Sequence, residues 1–276
     1  MKSIRHQQGM SLIELMIAGL IGMVIAYFVM NIMMSSNRSA LSSEGVSQSG
    51  ESGRLVMSWL VEEVRRAGYN PEEGATAVTP FSALCAAGQA MPPAAGANCT
   101  YESTAGWNDN DRLAIHWQYT TTVTSDRDNQ DCTGVALTFT SNTELTDVYW
   151  IETGNADNGY DDVLRCVTYE DSTGTVLNPA QSIASGVVGL QVQYGESMTE
   201  TTDGTSNVTR YVAADEVTDW DSIQSVRIAV LTRAFTDLPV QAQDRAFVLL
   251  DADPYLFSDG VSRTIQATTI ALPNRQ

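Results

Sequence analysis

Lysine is almost missing from this chain: among its 15 Lys and Arg residues, Lys2 is the single lysine. Histidine is nearly as scarce, with His6 and His116 alone. The four cysteines, Cys85, Cys99, Cys132 and Cys166, form no Cys-x-x-Cys pair. A zinc site built on closely spaced thiolates and imidazoles is therefore poorly supplied. No Gly-x-Ser-x-Gly elbow, P-loop or His-Glu-x-x-His occurs, and no repeat or heptad array is visible. His116 falls in an alternating run, where a packed or surface strand position accounts for it, so Ser-His-Asp catalysis has little to work with. Acids abound instead: 33 Asp and Glu give a formal charge of −18. With so many, neighbouring carboxylates arise by chance and do not make a glycosidase. The chain reads as a non-enzyme. Its acidic surface repels nucleic acid and anionic head groups, which excludes both as partners of the soluble part.

One long apolar run stands out against this polar background. Leu15 to Met34 is long enough to cross a bilayer, for which about 20 residues at 1.5 Å each suffice. Eight mostly polar residues carrying Lys2 and Arg5 precede Gly9, which places the amino end on the cytoplasmic side. Glu14 is the anomaly, since a carboxylate just inside a membrane helix costs a few kcal/mol unless something pairs with it. An ordinary secretory signal fits less well. The run is longer than about 7–15 residues, it contains an acid, and polar Ser35-Ser36-Asn37 follows where a small-x-small cleavage site would stand.

The stretch Gly9-Met10-Ser11-Leu12-Ile13-Glu14-Leu15-Met16, behind a short basic leader, resembles the start of type IV prepilins. The resemblance implies cleavage by a membrane peptidase between Gly9 and Met10, and methylation of Met10 as the new first residue. It gives Glu14 the partner the physics asks for, the terminal amine of a neighbouring subunit in a helical bundle. Many major pilins begin with Phe and carry proline where Asn31 stands; Met10 and Asn31 fit a minor pilin better.

From Met10 to about Ala67 the chain reads as one long helix or two joined ones. Gly19 and Gly22 would permit close helix contact. Between Ser35 and Gly53 the chain turns rich in Ser and Gly, with Gly45, Gly50 and Gly53, so a local break is expected there. Beyond it, Val56, Leu60, Val64 and Ala67 share a face with Leu55 and Trp59 alongside, while Glu62, Glu63, Arg65 and Arg66 take the other side. Gly68 and Pro71 end the helix near Ala67. Its rear half should lie against a sheet.

Residues 70–106 read as a loop. Alternation then predicts strands at Leu113–Tyr119, Val135–Phe139, Val148–Ile151, Val163–Tyr169, Ile183–Tyr194, Ser225–Thr232, Phe247–Leu250 and Arg263–Leu272. Asp219–Gln224 is expected to form a helical turn, and Glu196–Arg210 a polar loop that could serve as a contact site. Three disulfide pairings are possible; Cys85–Cys99 with Cys132–Cys166 is favoured because each closes a local loop. Two oxygen-rich turns, Asn108-Asp109-Asn110-Asp111 and Asp157-Asn158-Gly159-Tyr160-Asp161-Asp162, are candidates for calcium, though neither has EF-hand spacing. No other cofactor is implied.

A finer resemblance runs through Arg54…Arg65-Arg66-Ala67-Gly68-Tyr69, Asp111-Arg112-Leu113, Asp131-Cys132-Thr133-Gly134, Leu164-Arg165-Cys166, Gly186-Val187-Val188-Gly189-Leu190…Tyr194-Gly195 and Ser225-Val226-Arg227-Ile228-Ala229-Val230. In this order the segments are similar to the PilW family of minor pilins. That resemblance supports the Cys132–Cys166 pairing. It implies an α+β, pilin-like chain: leader 1–9, membrane and assembly half of the helix 10–34, soluble amphipathic half 35–69, and a β-rich periplasmic domain 70–276 with antiparallel sheets. It also implies partners, namely prepilin peptidase, other minor pilins, major pilin and the inner membrane, with final location on the pilus. J-type minor pseudopilins of type II secretion share the architecture, and a pilus-borne adhesin is a further alternative.

Overall fold

The computed structural model describes residues 11–70, 78–82, 99–103, 109–122, 129–154, 161–197, 207–235 and 242–275. It begins with a single helix of 53 residues, α1 (Leu12–Val64), roughly 80 Å long at 1.5 Å per residue. The break expected between Ser35 and Gly53 does not occur. The glycines that weaken the helix locally are what let it lie against the sheet: Gly45, Ser49 and Gly53 recur every four residues and are buried. A Cβ on Gly53 would stand 2.8 Å from Gln266 Cγ and 2.9 Å from Thr232 Oγ1, and one on Gly45 3.2 Å from Ser262 Oγ. Packing the helix backbone directly on the sheet offsets the propensity lost.

Two antiparallel sheets follow. The first holds β1 (Leu113–Tyr119), β2 (Thr143–Glu152), β3 (Val163–Glu170), β4 (Thr175–Val176) and β5 (Gln181–Ser185). They run β1-β2-β3-β4, with β5 also paired to β3. The second holds β6 (Val187–Glu196), β7 (Arg210–Val212), β8 (Ile223–Arg233) and β11 (Arg263–Ala271), in the order β11-β8-β6-β7. A separate hairpin pairs β9 (Gln243–Phe247) with β10 (Tyr255–Asp259). Helix α1 packs chiefly on β11 and β8. The chain is α+β, as expected.

One core joins the helix to both sheets. Val56, Leu60 and Val64 from α1 meet Leu113, Ile115, Tyr149 and Leu164 from the first sheet and Leu190, Val192, Val226 and Ile228 from the second. Strand β8 is buried on both faces for most of its length, consistent with its place between β11 and β6. Gly186, at φ 76, turns the chain from one sheet to the other, and a side chain there would also meet the Phe235 ring at 3.1 Å.

Four expected elements differ. The strand expected over Ile183–Tyr194 is divided at Gly186 into β5 and β6, which belong to different sheets. Residues Val135–Phe139 form no strand; a single bridge joins Gln130 to Ala136. Asp131 Oδ1 gathers the Thr133 and Val135 amides at 2.8 and 2.9 Å and so commits this backbone to a turn. The apolar alternation is nonetheless used, because Leu137 and Phe139 pack on Trp117, Tyr119 and Leu145. The strand expected at Phe247–Leu250 ends at Phe247 and begins earlier, at Gln243, with Leu250 in the left-handed region at φ 48. On the helix, Leu55 is exposed and Glu63 is buried, the reverse of the expected faces. The expected helical turn is present as a 3-10 turn at Trp220–Ser222.

Candidate assembly interface

The front of α1 is a naked apolar surface. From Leu12 to Met34 every residue is exposed, Leu, Ile, Met, Tyr and Phe included. By length and composition this stretch can cross a membrane; it extends roughly 35 Å, against about 30 Å of hydrocarbon. Glu14 lies in the first turn of the helix, with its amide bonded to Ser11 O at 3.0 Å. Ala18, Ile21 and Ile25 follow it along one face. Gly19 and Gly22 have open space where a Cβ would go, so a second helix has room to approach there. Gly9 and Met10, the expected cleavage and methylation positions, lie outside the described residues.

The rear of α1 is bound to the domain by polar contacts at separate heights. Ser49 Oγ and Thr264 Oγ1 are 2.8 Å apart, and Thr232 Oγ1 donates to Ser49 O at 2.8 Å. Near the other end lies a buried charge cluster. Arg66 is 3.2 Å from Glu63 and 3.6 Å from Asp147. It stacks on Trp117, with the guanidinium carbon 3.8 Å from the ring centroid, and donates to Gln130 O at 2.9 Å. Tyr149 donates to Glu63 at 3.2 Å, and Trp117 Nε1 donates to Asp147 at 2.7 Å. One guanidinium thus serves two buried carboxylates. Burial pushes Asp147 up to about 7 despite the attraction of Arg66, with Glu63 adding repulsion. Beyond Val64 the chain turns at Gly68, whose φ is 72 and whose amide donates to His116 O at 2.8 Å. Asn274, near the chain's other end, donates to the Arg65 and Ala67 carbonyls at 2.9 and 3.1 Å. These are carbonyls that a helix end leaves without intrahelical partners.

The disulfide completes this attachment. Cys132 and Cys166 are bonded, linking the loop that carries Gln130 to β3. Cys99 is also disulfide-bonded; Cys85, its expected partner, lies outside the described residues. Sequence patterning missed the Glu63–Arg66–Asp147 cluster. A Glu-x-x-Arg pair at the helix end and an acid directly before the apolar run Val148–Ile151 were the available signals.

Several side chains of the two calcium candidates are hydrogen-bonded or ion-paired within the chain. Asn110 Oδ1 accepts from Leu190 N at 2.8 Å. Asp111 accepts from Val192 N at 2.8 Å and Ser103 N at 3.2 Å. Those oxygens tie the approach to β1 onto β6. Burial, with Glu102 close by, holds the Asp111 carboxyl well above its ordinary range. Asn108 lies outside the described residues, as do Asp157, Asn158, Gly159 and Tyr160. Asp161 pairs with Arg233 at 3.4 Å and Asp162 accepts from Gly154 N at 2.6 Å. The ends of the Glu196–Arg210 loop are closed by an Arg210–Glu196 ion pair at 2.7 Å.

Residues 148–274 match the family model described as Type IV Pilus-assembly protein W. The match covers the second half of β2 and every later strand, but not α1. No curated protein matches the chain. Among solved structures, the chain is similar to a type IV-like pilin from Thermus thermophilus, at 13% identity and a TM-score of 0.44, over 82% of this chain and 97% of that one.

Proposed function

We propose that this chain is a minor pilin that helps to initiate a type IV pilus and takes a place in its tip complex. One observation carries the reading: a single unbroken helix has an apolar front half that its own domain leaves wholly uncovered, while its rear half is fixed to that domain. The Type IV Pilus-assembly protein W match over residues 148–274 supports the same reading from the other end of the chain.

The mechanism follows from solvation. In the inner membrane, lipid covers the front of α1 and the domain faces the periplasm. Cleavage after Gly9 creates an amine at Met10, which is then methylated. Glu14 is costly in lipid by about 2.5–3.5 kcal/mol on insertion scales. Pairing with a neighbour's terminal amine removes much of that penalty, so helices leave the lipid for a bundle of unlike pilins. That bundle is the nucleus onto which major pilin adds.

Glu14→Leu tests this. Processing should remain intact, because the peptidase reads the Gly9 junction. Incorporation should fall roughly tenfold or more, the equivalent of about 1.4 kcal/mol of lost pairing. Pilus counts and the variant's content in sheared fractions provide the readout. Wild-type values for both in Glu14→Leu would refute the mechanism.

A further inference from the structure

Outside the helix attachment, the described residues contain a three-residue cluster that the pilus reading does not use. His116 on β1, Glu144 on β2 and Asp171 just after β3 bring one imidazole nitrogen and two carboxylate oxygens within 4.8 Å of one another. The register explains the meeting. His116 lies opposite Thr146 and Gln118 opposite Glu144, so His116 and Glu144 share one face of the sheet. Trp117 and Leu145 point to the other face, into the core. The Asp171 amide donates to Glu144 O at 3.1 Å and closes the corner.

Hydrogen bonding orients the set. His116 Nδ1 is 2.9 Å from Thr79 O. A carbonyl only accepts, so Nδ1 carries a proton and Nε2 is the ring atom that faces the two carboxylates. Nε2 lies 2.8 Å from Asp171 Oδ2 and 3.9 Å from Glu144 Oε2. It is nevertheless a buried atom without an aligned hydrogen-bond partner. Two ligands of one ion show such a bent approach, since the ion and not the partner oxygen occupies the ring axis. With zinc–ligand lengths of about 2.0–2.1 Å, tetrahedral ligand atoms stand about 3.3 Å apart, between the two observed separations. The supporting contacts also match. Imidazole ligands commonly donate their other nitrogen to a backbone carbonyl, and ligating carboxylates are themselves hydrogen-bonded; here Thr146 Oγ1 donates to Asp171 Oδ1 at 2.7 Å. Glu144, with 56% of its side chain exposed, is free to swing and admit an ion.

We infer that His116 Nε2, Asp171 and Glu144 form a binding site for a divalent ion of the zinc class, with a fourth position left to water. The site links β1, β2 and the turn after β3 at one sheet corner and does not depend on the pilus assignment.

The test uses the full chain in detergent, stripped with chelator and titrated with Zn²⁺ by calorimetry, then with Co²⁺ for its visible absorption. One ion should bind with a Co²⁺ spectrum of mixed nitrogen and oxygen coordination. Asp171→Asn and the exposed Glu144→Gln should each weaken binding at least tenfold, and His116→Gln should abolish it, with far-UV circular dichroism unchanged in Glu144→Gln. His6→Gln should bind as wild type. An ion that His116→Gln still binds, or that His6→Gln loses, overturns the assignment. So does absence of binding, which would leave His116 as a protonated partner of Asp171.

Discussion

Two glycines three residues apart on α1 should respond oppositely to alanine. Alanine in place of a helix-interior glycine gains about 0.8–1.0 kcal/mol from propensity alone. At Gly50 nothing lies within 4 Å of an added Cβ, so that gain should be realised in full. At Gly53 the same methyl would stand 2.8 Å from Gln266 Cγ and 2.9 Å from Thr232 Oγ1. Carbon contacts are comfortable at about 3.5–4.0 Å. Gln266 is half-exposed and can move, but Thr232 is fully buried and its hydroxyl is committed to Ser49 O at 2.8 Å. The helix must therefore shift from β8 and β11, an overpacking cost of about 1–3 kcal/mol. Propensity cancels between the two variants, so their difference reports the close approach directly. A separation of about 2 kcal/mol amounts to about 4–8 °C in melting temperature for a domain of this size. Thermal melts of Gly50→Ala and Gly53→Ala, followed by circular dichroism in detergent, measure it. Equal stabilisation of both would mean that α1 does not lie against the sheet at this distance.

Arg66→Met should destabilise the domain by about 3–5 kcal/mol, because Glu63 and Asp147 stay buried without their counter-charge. Adding Glu63→Gln and Asp147→Asn should recover most of that loss in denaturant titrations, and a triple variant as weak as the single one would contradict the charge account. Asp147, raised from 3.8 to about 7, binds its proton more tightly folded than unfolded. Its contribution is therefore complete below about pH 4 and is lost as pH rises towards 7, by on the order of a few kcal/mol. The wild-type stability minus that of Asp147→Asn should fall across this window, and a flat difference would exclude the raised carboxyl.

Much of this architecture was legible because apolar periodicity reports burial. The helix face of Val56, Leu60 and Val64, and strands such as Leu113–Tyr119 and Ser225–Thr232, follow from it. What periodicity reads poorly is polar burial. Glu63 was assigned to water by its charge, yet Arg66, Tyr149 and the sheet enclose it. Gly45, Ser49 and Gly53 read as a weak helix because propensity counts only the isolated helix, not the sheet that approaches where side chains are missing. Val135–Phe139 failed for the opposite reason: its side chains follow strand spacing, but Asp131 had already claimed the backbone. Glu14 was legible as an anomaly, since it is an acid in an apolar helix segment whose described residues leave it exposed.

The division of α1 into an uncovered front and a fixed rear constrains how the domain can sit on any helical bundle. Apolar side chains alone would let a sheet slide or roll along a helix with little penalty, because one such contact resembles the next. Directional contacts do not permit this. Ser49 with Thr264 and Thr232 at one height, and Arg66 with Asp147 beside Asn274 with the Arg65 and Ala67 carbonyls at another, hold the helix. From Ser49 to Ala67 these span about 27 Å. Sliding by one residue would break all three sets and leave buried polar groups unmet, each costing about 1–3 kcal/mol. The azimuth of the Glu14 face relative to the domain is thereby set before any neighbour arrives. On the mechanism proposed above, a bundle built on Glu14 pairing would meet the domain in that one orientation.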